Sequence, residues 1–391
     1  MPAATVTTSP TPTPLSFPAP IFAALQPSSF LRAHLAPDSP SQPSLRANGR
    51  RPSEFRKPNI NTGSLTHSHG SAVVRIGDTA VVAGVRGEIL LADDIPNPPE
   101  REKRDFDTNS TRQESRGSGA DPSSKGGGDA DADAEADSLA HLQLLVPNLE
   151  LSTGCHPSHL PGSPPSSLAQ SLAQRILSLL HSTRLVPLQQ LRILRPRARS
   201  SDLDDEGDEM LDPDAAVDGD GDGKVKGWEV VAYWTLYIDI LFISLDGAVF
   251  DAAWGAVVAA LGDTRLPHAW WDADRECVLC EEDGAQARGL GLRGCPVAAT
   301  VGVFAPGRRG VVGGEKEEES WMLVDLDAFE EGLCREVVTV VVDCSGGGNG
   351  RIHRVEKNGG GAVGMGRMRH VVRSGEESWR NWAEVLGELG S

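Results

Sequence analysis

The sequence predicts an α+β fold in which β-sheets are covered by helices. Three observations predict it. Two β-branched runs, SAVVRI and TAVVAGV, flank Gly77-Asp78, the spacing of a two-residue hairpin. Leu168, Leu172, Ile176, Leu179 and Leu180 recur at helical spacing, and a second helical pattern follows the long apolar run at 229–245. The C-terminal part then holds several strand-like runs and closes on one more helix.

Each element has a local reason. Residues 1–20 read as a disordered Pro/Thr-rich tail, and residues 21–44 as an arm of short helical pieces with Pro27-Ser28 at a helix start. A basic stretch follows, LRANGRRPSEFRKP, with Arg46, Arg50, Arg51, Arg56 and Lys57 close together. Pro164-Pro165-Ser166 starts the Leu168–Leu180 helix. The run 229–245, rich in β-branched and aromatic residues, reads as paired or continuous buried strands. Asp246-Gly247 then turns the chain into a helix with Val249, Ala253, Ala256, Val257, Ala260 and Leu261 on one side and Gly262 placed to end it. Strands are expected at VAATVGVF (297–304), WMLVDL (321–326), EVVTVVVD (336–343) and RIHRV (351–355). A last helix is expected to begin at Ser374, with Glu377 at capping-box spacing and Trp379, Trp382, Leu386 and Leu389 along one stripe.

The 391 residues carry 55 acidic and 37 basic side chains, a net charge of −18. A uniformly acidic surface would repel nucleic acid, because affinity there comes from neutralised phosphates. The charge is not uniform. Residues 100–139 hold 11 acidic and 6 basic side chains, and residues 200–226 hold 11 acidic and 2 basic. Both lack apolar periodicity and read as disordered insertions. The remaining chain is almost neutral, so the exclusion of nucleic acid fails. The N-terminal stretch has no basic n-region and its first arginine is Arg32, which argues against signal and transit peptides. The 229–245 run centres on Asp239, which at a bilayer midplane would cost roughly 2.5–3.5 kcal/mol. No membrane association is expected, and the six cysteines are expected to be reduced.

Short motifs contribute little. Asp218, Asp220, Asp222 and Glu229 fit the spacing D-x-D-x-D-G-x5-E of a calcium loop. The flanking helices of an EF-hand are missing, so an acidic loop is the better reading. Cys277 and Cys280, with Cys295 and His268, supply one close pair where a structural zinc site wants two. His67 and His69 read as polar surface, and the Gly-rich stretches 346–350 and 359–366 as flexible loops. No phosphate-loop, hydrolase or metalloprotease motif occurs, and no cofactor is expected.

The segment NGRRPSEFRKPNINTGSLTHSHGSAVVRIGDTAVVAGV (48–85) resembles the opening of the RNase PH family, which has an R-x-D-G-R turn, an E-x-R-P-like element, a G-S-x-x-V strand and a G-x-T-x-V partner. Further similarities follow in order: SLLHSTRLVPLQQL, YIDILFISLDGAVFDAAWGAVVAAL, PVAATVGVF and LVDLDAFEEGLCREVVTVVVD. The resemblance implies an RNase PH-like fold, with an S5-like ββαβα part over about 45–270 and a smaller α/β part over about 290–391. Within the family the chain is similar to non-catalytic ring subunits of the eukaryotic RNA exosome. That implies as partners other RNase PH-like ring subunits, cap subunits and RNA, and a setting in nucleus, nucleolus and cytoplasm.

Departures from the family pattern bear on activity. Active members place D-G-G-T-R at the start of the second helix to hold the attacking phosphate, whereas this chain has Asp246-Gly247-Ala248-Val249-Phe250. Phe250 cannot make the bidentate contact an arginine fork makes. Aligned through Glu330 and Glu331, the two catalytic carboxylates of active members fall on Gly332 and Val338. The resemblance therefore implies a non-catalytic subunit, with an active phosphate-dependent 3′–5′ exoribonuclease and a calcium-binding interaction protein as rivals. Arg46, Arg50, Arg51, Arg56 and Lys57 are candidates for RNA or subunit contacts, or for an ion-pair cluster.

Overall fold

A computed structural model describes residues 17–36, 43–95, 141–161, 166–196, 228–306, 320–346, 350–360 and 364–389. The expected acidic insertions at 100–139 and 200–226, and most of the tail, lie outside the described residues. Helix α1 (Ala19–Leu25) begins inside the expected tail, with Pro20 in its first turn, where a missing N–H costs nothing. It meets α2 (Pro27–Leu35) through a T-shaped pair of Phe22 and Phe30, centroids 5.9 Å apart.

The first sheet comprises β1 (Pro58–Thr62), β2 (Gly70–Ile76), β3 (Thr79–Leu91), β4 (Leu145–Leu151), β5 (Arg192–Pro196) and β6 (Trp228–Ser244). Its order is β1-β2-β3-β6-β4, with β5 also pairing on β6. The β2–β3 hairpin closes as expected, Ile76 opposite Thr79 and Gly77 at φ +59°. The 229–245 run is one continuous strand. Its first part pairs antiparallel with β5 and its later part parallel with β4.

Helix α3 (Ser167–Thr183) starts where Ser166 Oγ accepts hydrogen bonds from the Leu168 and Ala169 N–H groups. It buries Leu172, Ile176, Leu179 and Leu180, but Leu168 is exposed and Ala169 takes the inward position. Helix α4 (Val249–Asp263) corrects two expectations. It is buried on every side from Val249 to Leu261, where an amphipathic helix was expected. Gly262 lies within its last turn, and Thr264 caps it by donating to Leu261 O.

Short pairs follow, β7 (Arg265–Leu266) with β10 (Arg288–Gly289) and β8 (Ala269–Asp272) with β9 (Cys277–Cys280). A second, antiparallel sheet holds β11 (Val297–Phe304), β12 (Trp321–Val324), β13 (Glu336–Asp343) and β14 (Arg351–Gly359), in the order β12-β11-β13-β14. The single-turn helix α5 (Ala328–Glu331) links β12 to β13. Helix α6 (Met365–Leu389) begins nine residues before Ser374, which is buried in mid-helix, so the capping-box start is corrected. Gly375 allows the close approach, since a Cβ there would meet Val340 at 2.8 Å.

Helices lie on both faces of the second sheet. Val371 of α6 packs with Val338, Val340 and Val342 on one, and Leu31 and Leu35 of α2 with Phe304 and Leu323 on the other. The largest core joins the first sheet, α3 and α4 to Val297, Ala298 and Val341 of the second sheet and Trp382 of α6. Helix α4 is therefore the shared centre of the molecule. No helix among the described residues is long and apolar enough to cross a membrane.

Candidate functional site

The loop before β1 is built to face the turn between β12 and α5. Arg46 and Gly49, the latter at φ +84°, close a tight turn through Gly49 N–H to Arg46 O and Arg46 N–H to Arg50 O. Val324 N–H then donates to Pro52 O at 3.0 Å, fixing the loop beside the end of β12. Asp325 follows at φ +49°.

Three arginines converge on this turn. Arg46 is 1% exposed and pairs with Glu330 at 3.2 Å, also donating to the carbonyls of Asp325, Pro52 and Val324. Arg50 donates to Asp325 Oδ2 at 3.0 Å and Asp325 O at 3.1 Å. Arg56 holds both Asp325 oxygens, through Nε and its backbone N–H on Oδ2 and through Nη2 on Oδ1 at 2.8 Å, and reaches Asp246 O at 3.0 Å. Burial pulls the Arg56 guanidinium down, but the hydrogen bonds and charge of Asp325 outweigh it and its pKa is raised. Burial lowers Arg46 and raises the Glu330 carboxyl, each opposed by the other's charge. Arg46 Nε and Glu330 Oε1 find no hydrogen-bond partner among the described residues.

The same place joins two helix starts. Glu331 Oε1 accepts from the Ala248 N–H at the start of α4, 2.9 Å, while Asp246 Oδ1 accepts from the Ala328 N–H at the start of α5, 3.2 Å. Asp327 and Glu330 complete a capping box on α5, and Asn48 Nδ2 donates to Asp327 Oδ2 at 2.8 Å. A Cβ on Gly247, at φ +70°, would lie 2.3 Å from Leu326 O, so the two segments touch backbone to backbone. One turn further, Asp251 is buried and accepts from Thr300 N–H and Thr300 Oγ1, both at 2.8 Å; burial raises its pKa to about 6.

The expected site residues fall into separate groups. Phe250 is buried at the start of α4, with the Arg175 guanidinium 3.9 Å above its ring. Arg175 in turn pairs with Glu356 of β14 at 2.6 Å. Gly332 ends α5, and Val338 is buried in β13. Of the basic candidates, only Arg51 and Lys57 project exposed side chains; Arg46, Arg50 and Arg56 are engaged inside the fold and Arg46 is out of reach of any phosphate. Asp218, Asp220 and Asp222 lie outside the described residues, and Glu229 pairs with Arg195 at 3.2 Å. Cys277 and Cys280 sit on β9. His69, expected as polar surface, is half-buried, and its Nδ1 accepts from Gly87 N–H at 3.0 Å; burial lowers its pKa. Gly366 lies in the first turn of α6, which corrects the loop reading for the last two residues of 359–366, while Gly364 precedes the helix.

The sequence reading missed Glu331 as a helix-start ligand and Arg175 as the cover of Phe250. Neither carries a local signal, since each partner lies tens of residues away. Burial raises Glu331 to about 7, partly offset by the Ala248 hydrogen bond. A carboxyl raised above its unfolded value binds more protons folded than unfolded. Its contribution to stability is therefore full at low pH and lost as pH rises through about 7. Glu331→Gln keeps an acceptor for Ala248 and removes the titration. The variant should gain on the wild type from pH 5 to pH 8, by at most about 1.4 kcal/mol per unit in that window. Urea unfolding of both proteins across this range checks it, and a constant difference would refute the assignment.

A helix start, an arginine-rich loop and a carboxylate-rich turn thus meet between two β-sheets. Residues 54–267 match the 3′ exoribonuclease family, domain 1, and the chain belongs to the RNase PH family. It is 29% identical over 266 residues to the exosome complex component rrp43 of Schizosaccharomyces pombe, covering 68% of this chain and 67% of that one. It is 25% identical over 237 residues to the exosome complex component Rrp42 of Methanothermobacter thermautotrophicus, covering 61% of this chain and 58% of that one. The chain thus spans between about half and two thirds of these relatives. The fold is similar to a chain of the Archaeoglobus fulgidus exosome solved with RNA bound to the active site, with a TM-score of 0.54 at 19% identity, covering 93% of this chain and 98% of that one.

Proposed function

We propose that this chain is a structural, RNA-handling subunit of an exosome ring, and that it does not cleave RNA itself. Its partners on this reading are RNase PH-like ring neighbours, cap subunits and RNA, in the nucleus, nucleolus and cytoplasm. The similarity to exosome components of a fungus and an archaeon supports the assembly.

The observation that carries the inert reading is the Ala248 N–H to Glu331 hydrogen bond of 2.9 Å. Phosphorolysis needs inorganic phosphate held in line with a phosphodiester, and a helix N-terminus with an arginine fork is suited to that anion. Here the chain's own carboxyl group takes the helix donor, and Phe250 occupies the position of the fork. The remaining acids are engaged as well. Asp325 is held by Arg50 and Arg56, Asp327 caps α5, and Asp251 is satisfied by Thr300.

Purified protein incubated with RNA and inorganic phosphate should release no nucleoside diphosphate; release would establish the rival, an active exoribonuclease. Phe250→Arg should not restore activity. It should instead destabilise the protein by roughly 2–4 kcal/mol, because the new guanidinium is buried beside that of Arg175. Affinity purification followed by mass spectrometry tests the assembly, and recovery without other ring subunits would refute it.

A further inference from the structure

Helix α6 carries a basic stripe that the sequence reading did not single out. Between Met365 and Gly375 it bears Arg367, Arg369, His370 and Arg373 and no acidic residue. All four side chains are exposed. Arg369, Arg373 and Arg380 stand at i, i+4 and i+11, within about 40° of one another around the helix, so they form one row on its solvent face. Arg367 donates to Ser320 Oγ at 3.0 Å; Arg369, Arg373 and Arg380 make no ion pair among the described residues. Glu376 and Glu377 fall between Arg373 and Arg380, with Glu376 on the same row, so the uncompensated positive charge is in the first turns of the helix, at Arg369 and Arg373.

A second basic source is brought alongside. Phe55 packs in the same small core as Met368, Val371 and Val372, seating the loop before β1 against the first turns of α6. The flanking Arg51 and Lys57 are the two basic residues of that loop whose side chains the buried network leaves exposed. The loop that carries Arg51 and Lys57 is therefore a neighbour of the first turns of α6, more than 300 residues away in sequence.

We infer that this surface, Arg369, Arg373 and Arg380 with Arg51 and Lys57, binds the phosphate backbone of single-stranded RNA. The inference deepens the proposed function and rests on it for the identity of the polyanion. The chemistry favours RNA over a protein partner. Arginine forks suit phosphate oxygens. Cores of protein interfaces are depleted in charge and carry apolar anchors, whereas here only Met365 is exposed and apolar along the first turns. No base-reading group is implied, so binding is independent of sequence.

The test compares the full-length wild type, an Arg369→Gln/Arg373→Gln variant and an Arg275→Gln control, titrated into a fluorescein-labelled oligouridylate over a salt series. Each phosphate of a single strand that is no longer neutralised reduces the slope of log K against log salt by about 0.7, so the double variant should lose about 1.4 and the control nothing. An unchanged slope, or a wild type that does not bind, would overturn the surface. Retained RNA binding with loss of ring subunits on co-purification would also overturn it, assigning the stripe to a protein partner. A reduced slope in the double variant, together with a wild type that recovers no ring subunits, would keep this surface and refute the ring reading instead.

Discussion

Replacing Arg46 with methionine should lower the free energy of unfolding by about 3–5 kcal/mol, the range for breaking a buried ion pair and leaving its partner charged. Both side chains of the Arg46–Glu330 pair are fully buried, and the guanidinium also satisfies three backbone carbonyls. Arg50, 4.0 Å from Glu330, is a second cation that offsets part of the charge left behind, which places the loss toward the lower end of that range. Arg46→Met combined with Glu330→Leu should be less destabilised than the two single changes summed, with a coupling of about 0.5–3 kcal/mol. Urea unfolding of the four proteins measures this cycle. A loss below about 1 kcal/mol for Arg46→Met would show that the pair does not hold the loop.

Gly247→Ala should cost about 2–5 kcal/mol, for two reasons that can be separated. Alanine at φ +70° costs roughly 1–2 kcal/mol. The added Cβ would also press on Leu326 O at 2.3 Å and the Asp327 backbone at 2.6 Å, and that backbone is pinned by Arg56 and the α5 capping box. Such overpacking typically costs roughly 1–3 kcal/mol. Gly49→Ala is the control: its φ is +84° and its Cβ would meet nothing within 4 Å. Thermal unfolding should therefore find Gly247→Ala clearly worse than Gly49→Ala. Equal losses would mean that the close approach is not a constraint.

Elements with strong local patterns were legible in the sequence. The Gly77-Asp78 hairpin, the Ser166-capped helix and the β-branched runs at 297–304 and 336–343 each state their structure within a few residues. Elements made by their neighbours were not. The β1 sequence PNINT has no strand pattern beyond Ile60, and it is a strand because β2 pairs with it residue for residue. The start of α6 was hidden by Gly364, Gly366 and the Val371-Val372 pair, all poor helix formers, whose cost is offset by packing Val371 and Gly375 against β13. The family motifs located the site but not its internal wiring. Nothing near Arg46 distinguishes it from Lys57, yet one is sealed against Glu330 and the other stands in water.

The Arg46–Glu330 contact spans 284 residues of chain. At a synthesis rate of about 5–20 residues per second, roughly 15–60 s separate the emergence of its two ends from the ribosome. Throughout that interval Arg46 and Arg50 have no carboxylate wall to close against, Arg56 has only Asp246 once that residue emerges, and the start of α4 waits for Glu331. The arginine loop of the nascent chain is therefore open and largely cationic until the second sheet arrives, and emergence of the turn between β12 and α5 is the event that neutralises it.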